Sequence, residues 1–138
     1  MNKLILMVGL PRLGKSTRAK AFVEALPAAI VNPDAIRLAI HGQRFIAQAE
    51  PYVWLTARTM VESLFLAGHK TVILDATNTT HKRRNEWRNK NWEREYIYVD
   101  TPKNICIERA KASNQEDLIM VIERMDKQFE PLSPEDYD

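Results

Sequence analysis

Cysteine and glycine are scarce in this 138-residue chain: there is one of the first, Cys106, and four of the second. A lone cysteine excludes an intramolecular disulfide and suits a reducing compartment; set in an apolar helical pattern, it reads as a small buried side chain. Long apolar runs are missing as well. Nothing approaches the roughly 20 residues of a membrane span, and the short apolar N-terminus leads straight into a glycine-bearing loop, so no signal peptide is expected. The chain reads as cytoplasmic, with no membrane partner. Repeats, low-complexity tracts and linkers are also lacking, and 138 residues are enough to bury a core unaided, so the reading is one domain spanning residues 1–138. Excess charge is nearly absent, since a net +2 is too small to imply a partner. Its distribution is less even, because Lys and Arg outnumber Glu in residues 81–94, HKRRNEWRNKNWER.

What the chain does contain is an alternation of short apolar runs with helical periods. Residues 3–8 are a mostly apolar run of the kind buried on both faces of a parallel sheet. A helix is expected over 14–26, stopped by Pro27. A short strand at 28–31 precedes Asn32-Pro33-Asp34 and a helix to residue 40, and 41–50 reads as loop. Within 52–67, Val53, Ala57, Met60, Val61, Leu64 and Phe65 recur at helical spacing, with Gly68 as the stop. A strand at 70–74, a polar helix over 79–92, a strand at 96–99 and a helix over 102–112 opened by Pro102 come next. A last helix from residue 117 sets Leu118, Val121, Ile122, Met125 and Phe129 on one face. Such alternation implies an α/β fold, with a parallel sheet of about four strands, helices on both faces and right-handed crossovers.

Two of the few glycines, Gly9 and Gly14, fall inside MVGLPRLGKST at 7–17, where residues 9–16 match G-x-x-x-x-G-K-[ST] between an expected strand and an expected helix. Glycines let the backbone curl until successive N–H groups converge on an anion. The first turn of the helix adds unpaired N–H groups and the positive end of its dipole. Gly9, Pro11, Arg12, Leu13, Gly14, Lys15, Ser16 and Thr17 are therefore the candidate nucleotide-binding residues. Lys15 is placed to reach the outer phosphates and the Ser16 hydroxyl to ligate magnesium, so the expected ligand is the triphosphate tail of a nucleotide with Mg2+.

The partners of this loop narrow the chemistry. A GTPase would carry D-x-x-G and N-K-x-D, yet Asp75-Ala76-Thr77-Asn78 lacks the glycine and Asn89-Lys90-Asn91-Trp92 lacks the aspartate. A motor ATPase would be larger and would carry a strand-end carboxylate pair to activate water. Phosphoryl transfer to an acceptor other than water fits best, and it needs a base, a metal-orienting carboxylate and positive charge around the moving group. Asp34, just after the second expected strand, is placed to take a hydroxyl proton; its other reading is the N-cap of the next helix. Arg37, one turn on, can orient Asp34 or hold an acceptor phosphate, or be a plain surface arginine. Asp75 ends KTVILD and can hold the water shell of the metal, or cap the following helix, while Thr77 and Asn78 suit a turn. Residues 109–117, RAKASNQED, join two helices as a possible short lid whose cations are Arg109 and Lys111.

Taken together, GLPRLGKST, VNPDAIR at 31–37, VILDATNTTHKRR at 72–84, YVDTPKNICIERA and MDKQFEPLSPED resemble the kinase domain of bacteriophage-type polynucleotide 5′-kinases, within the wider P-loop kinase group. The resemblance covers nearly the whole chain. It implies a three-layer P-loop NTPase fold of the adenylate-kinase-like kind, with a short lid. It further implies Lys15 and Ser16 on ATP–magnesium, Asp34 as general base and Arg37 on the acceptor side; Arg109, a cation of the lid segment and otherwise a solvated charge, is the remaining catalytic candidate. The expected reaction is transfer of the γ-phosphate of ATP to the 5′-hydroxyl of DNA or RNA ends, entered as single strands. The helix after Asp75 would line the acceptor channel, making Asn78, Arg83 and Arg84 candidate substrate contacts; a basic helix of this kind is otherwise a solvated face. The chain departs from the family at Arg12-Leu13, where small residues are usual. It also departs at Ala76, which separates Asp75 from Thr77-Asn78, and at Ser113 or Asn114, where a lid arginine is expected. No D-x-D-G-T motif is present, so no phosphatase activity is expected. Two other readings suit the same parts: a kinase for a small hydroxyl compound such as a nucleoside, sugar or antibiotic, and a nucleotide-binding module without catalysis.

Overall fold

Leu4, Ile5, Leu6, Met7 and Val8 are all buried, although consecutive side chains of a strand point to opposite faces. Only a strand covered by helices on both sides satisfies that pattern. The computed structural model describes residues 1–11, 28–42 and 45–138, and the helix expected over 14–26 lies outside them. In the described residues β1 (Asn2–Val8) pairs in parallel with β3 (Thr71–Leu74) on one side and with β4 (Trp92–Tyr98) on the other. β2 (Ala29–Val31) pairs in parallel with β3, giving the order β2-β3-β1-β4.

The alternation of β1 and β3 sorts the core into two layers. Leu4, Leu6, Val72 and Leu74 pack with Ile36 of α1 (Pro33–His41) and with Val53, Ala57 and Val61 of α2 (Glu50–Leu66). On the other face, Ile5, Met7 and Ile73 pack with Cys106 and Ala110 of α4 (Lys103–Ala112) and with Ile122 of α5 (Leu118–Gln128). Each fully buried aliphatic side chain contributes about 1.5–3 kcal/mol of burial. Cys106 is a buried packing residue. Gly42 closes α1 in the left-handed region at φ 69°, donating its N–H to Leu38 O at 3.0 Å, a conformation in which a Cβ would be strained.

Residues 79–92 depart from the single polar helix expected there. α3 (His81–Asn85) is five residues long, and β4 begins at Trp92 rather than at residue 96. The reason is a period of two hidden among charges: Trp92 and Arg94 are buried while Glu93 and Glu95 are exposed. Trp92 stacks on Phe65 with ring centroids 5.5 Å apart, and its Nε1 donates to Trp87 O at 2.8 Å. Burial of that indole outweighs the helical preference of its polar neighbours.

Two arginines of this segment are structural. Arg84 is fully buried and donates from Nε to Asp136 Oδ1 (2.9 Å), from Nη1 to Asn78 O (2.9 Å) and from Nη2 to Glu130 O (2.8 Å). Arg94 donates from Nη1 to Arg84 O (3.0 Å) and pairs with Asp138 at 3.1 Å. The segment after α5 is thereby drawn back over α3, with Tyr96 donating its hydroxyl to Asp136 O and Glu130 N–H donating to Thr79 O at 2.9 Å. Burial also pushes the Tyr96 phenol up to about 12, so it stays a donor throughout the neutral range.

This clasp makes the fold sensitive to acid. Burial works against the Asp136 carboxylate, but Arg84, then His81 and the Ser133 N–H, outweigh it and hold its pKa down to about 2. A carboxyl group depressed on folding contributes fully above its unfolded value and is lost as pH falls through the folded one. Stability is therefore expected to drop by about 2 kcal/mol between pH 5 and pH 2. Urea titrations at a series of pH values should show this limb, and D136N should flatten it; a limb unchanged in D136N would reject the assignment. His81 has the opposite sign: Asp136 raises its pKa, so its contribution is present below the unfolded value and fades as pH climbs through the folded one.

Candidate active site

The carboxyl ends of β1, β2 and β3 meet at one edge of the sheet, where ligands bind in open α/β folds. Gly9, just past β1, donates its N–H to Thr77 O at 3.0 Å, and Asp75 N–H donates to Val31 O at 2.9 Å. Asn32 Nδ2 donates to Asp75 Oδ2 at 3.3 Å, and Asn78 Nδ2 donates to Met7 O at 2.7 Å. Three loops far apart in the chain are thus tied together at the point where the glycine loop begins. Of that loop, Gly9, Leu10 and Pro11 are described; Arg12, Leu13, Gly14, Lys15, Ser16 and Thr17 lie outside the described residues.

Asp34 is not a helix cap. Pro33 occupies the first position of α1, so the cap falls one residue earlier: Asn32 Oδ1 accepts from Asp34 N–H (2.8 Å) and Ala35 N–H (3.3 Å). The Asp34 side chain is 70% exposed, and its Oδ1 accepts from Arg37 Nη1 at 2.7 Å. Arg37 in turn is clamped by Glu50 at the start of α2, donating from Nε to Oε2 (2.9 Å) and from Nη2 to Oε1 (2.7 Å). Burial acts against the charge of Arg37, yet Glu50 and then Asp34 offset it and raise its pKa. A guanidinium fixed by a two-pronged carboxylate contact has little freedom left, so Arg37 presents Asp34 in one orientation.

The Arg37 carbon Cζ also lies 5.9 Å from the ring centroid of Trp54 on α2, and Arg83 of α3 lies over the same ring at 4.5 Å. Glu50 and Trp54 were outside the expected site. They sit 13 and 17 residues beyond Arg37 on a helix whose apolar period draws attention to its other face, and no local motif marks them.

Asp75 is buried at the end of β3 and does not cap α3 either, since Thr80 Oγ1 accepts from Arg83 N–H at 3.2 Å. A buried carboxylate at the edge where the glycine loop starts is a hard oxygen donor of the kind a magnesium water shell takes. Two expected acceptor contacts need correction. Arg84 is enclosed by Asp136, Asn78 and Glu130, and Asn78 is 1% exposed with its amide on β1. Both support the loops from within. Arg83 does reach the surface, pairing with Glu86 at 3.2 Å. Arg109 is exposed on the last turn of α4, which continues into a turn closed by Gln115 N–H on Ala110 O at 2.8 Å. A cavity of about 790 Å³ beside Lys3, Lys70 and Thr71 lies at the amino ends of β1 and β3, away from this edge.

A family model described as an AAA domain matches residues 4–132. The chain belongs to that family. Its fold is that of P-loop kinases, and the family implies nucleotide binding by this AAA domain. In a solved Pnkp1/Rnl/Hen1 complex, one chain superposes on this domain with a TM-score of 0.70 and 26% identity, over 78% of this chain and 38% of that one. The domain therefore spans well under half the length of that chain. A gluconokinase from Sinorhizobium meliloti 1021 superposes with a TM-score of 0.61 and 18% identity, covering 89% of this chain and 74% of its own. A sugar kinase from Janibacter sp. gives 0.68 and 16%, covering 97% and 81%. No curated protein matches the sequence. Among the described residues no helix is long and apolar enough to cross a membrane.

Proposed function

We propose that this AAA domain is a polynucleotide 5′-hydroxyl kinase. The observation that carries the reading is the Asp34–Arg37 pair at the carboxyl end of β2, an exposed carboxylate held by a guanidinium that Glu50 fixes in place. Asp34 Oδ2 takes no hydrogen bond among the described residues, which leaves it for an incoming hydroxyl. The likeness to a chain of a complex described as an RNA repair complex supports a nucleic-acid acceptor over a sugar.

In this reading residues 9–17 would hold the phosphates of ATP, Lys15 would meet the outer ones, and Ser16 and, through water, Asp75 would hold magnesium. Magnesium, when bound, neutralises phosphate charge. Asp34 takes the proton of the 5′-hydroxyl as its oxygen bonds to the γ-phosphorus. The bond from that phosphorus to the β,γ-bridging oxygen breaks, and ADP leaves with the electron pair. Arg37 faces the acceptor, and Arg109 is the cation of the lid. The ends phosphorylated are those of DNA or RNA, and the setting is cytoplasmic.

The test is incubation with γ-labelled ATP, magnesium and either 5′-hydroxyl oligonucleotides or a panel of sugars and nucleosides. Label on oligonucleotide ends is expected, with affinity falling steeply as salt rises. Label confined to the small compounds would establish the second reading, a small-hydroxyl kinase, which the coverage of both the sugar kinase and the gluconokinase favours. No label at all would leave a nucleotide-binding module.

A further inference from the structure

Three elements converge on one indole. Trp54 stands half-buried on α2, Arg37 approaches it from α1 at 5.9 Å and Arg83 lies over it from α3 at 4.5 Å. Its edge meets Trp87 with centroids 6.5 Å apart, and Trp87 carries Arg58 at 5.2 Å. An indole packs without any cation. Here two guanidiniums share Trp54 despite their like charge, and each is neutralised from outside the ring, Arg37 by Glu50 and Asp34, Arg83 by Glu86. The two arginines differ in freedom. Arg37 has a side chain only 15% exposed and is held by Glu50 at two points, whereas Arg83 is 40% exposed and, among the described residues, pairs with one carboxylate that is itself 45% exposed. One cation is thus locked beside the carboxylate that faces the acceptor, and the other is a movable cover on the ring.

We propose that Trp54 is the stacking platform for a nucleobase at the reacting end of the acceptor strand, and that Arg83 holds the ring in the free protein and turns to the strand's phosphate when the base arrives. The proposal rests on the polynucleotide reading and adds the residue that grips the strand. Its physical basis is that a base stacked on an indole gains more than a solvent-exposed guanidinium over the same ring, so exchange is favourable, and the displaced cation finds an anion nearby. Arg37 places the platform within one guanidinium of Asp34, which limits the stacked base to the terminal or the penultimate nucleotide. Stacking uses the π-face that every base has, so the grip is indifferent to base identity.

The experiment compares 5′-hydroxyl oligonucleotides of intact sequence with ones carrying an abasic site at the first or the second position, for the wild type and for W54L and W54F. For the wild type, an abasic site at one of these positions should raise KM about 5- to 150-fold, with the KM for ATP unchanged. W54L should show a raised KM for the intact strand and indifference to the abasic site, and W54F should recover most of the wild-type behaviour. A ring that only packs would leave the wild type indifferent to the abasic site, and that result overturns the proposal even if W54L fails to fold. Equal abasic penalties in W54L and wild type would overturn it as well. If the wild type labels no oligonucleotide at all, the polynucleotide reading itself has failed, a result distinct from either of these.

Discussion

D34N is expected to lower phosphoryl transfer by about 10²- to 10⁴-fold while leaving ATP binding in place. Asparagine preserves the shape of Asp34 and still accepts from Arg37, but it cannot take a proton, so the loss isolates that one step. The geometry around the residue makes the variant unusually easy to interpret. Asn32, not Asp34, caps α1, and the Asp34 side chain is 70% exposed, so the substitution takes from the fold only the charge of an exposed pair with Arg37, which Glu50 continues to hold. Its effect on stability should stay within about 0.5 kcal/mol. Single-turnover transfer measured beside calorimetric ATP titration checks the prediction. Transfer within a few-fold of wild type would remove Asp34 from the role of base, and loss of ATP affinity would move it to the nucleotide side.

The N-P-D stretch shows how much of such a site a sequence carries. Asn32 and Asp34 are both good capping residues, and the decision lies in Pro33, whose lack of an N–H and fixed φ suit the first helical position and push the cap one residue back. That signal was legible. So were β1 and β3, whose unbroken apolar runs require cover on both faces, and α2, whose period of 3.6 is kept by Val53, Ala57 and Val61 although Met60 of the expected stripe is exposed. Residues 79–92 were not legible by the same means, because the alternation of Trp92 and Arg94 with two glutamates places a cation at a core position. Arg84 and Arg94 are buried only because Asp136 and Asp138 come to them from 52 and 44 residues away. Local pattern reads such cations as solvated, and only the fold supplies their partners. Glu50 is hidden for the same reason. Its contact with Arg37 crosses from one helix to the next, and a glutamate at the first turn of a helix already has an ordinary explanation in the helix dipole.

R84M is expected to destabilise the protein by about 3–5 kcal/mol, a large share of the roughly 5–15 kcal/mol that holds a domain together. Methionine matches much of the volume of arginine, so the cost is electrostatic rather than a cavity. Asp136, 2% exposed, would be left as a buried charge without its strongest partner, and the carbonyl groups of Asn78 and Glu130 would lose their donor. The consequence should reach the candidate site. Arg84 holds Asn78 O, Asn78 holds Met7 O, and Thr77 O receives the Gly9 N–H, so the clasp is continuous with the start of the glycine loop. Urea unfolding of R84M, D136L and the double variant measures the coupling. Because a buried ion pair is often replaceable by apolar groups, the double variant should recover part of the loss, while each single variant pays for an orphaned partner. An R84M protein within 1 kcal/mol of wild type, or singles that simply add in the double, would mean that Arg84 and Asp136 are not coupled. In that case the Asn78 amide on Met7 O and the Gly9 N–H on Thr77 O hold the loop after β3 against β1 without help from the clasp.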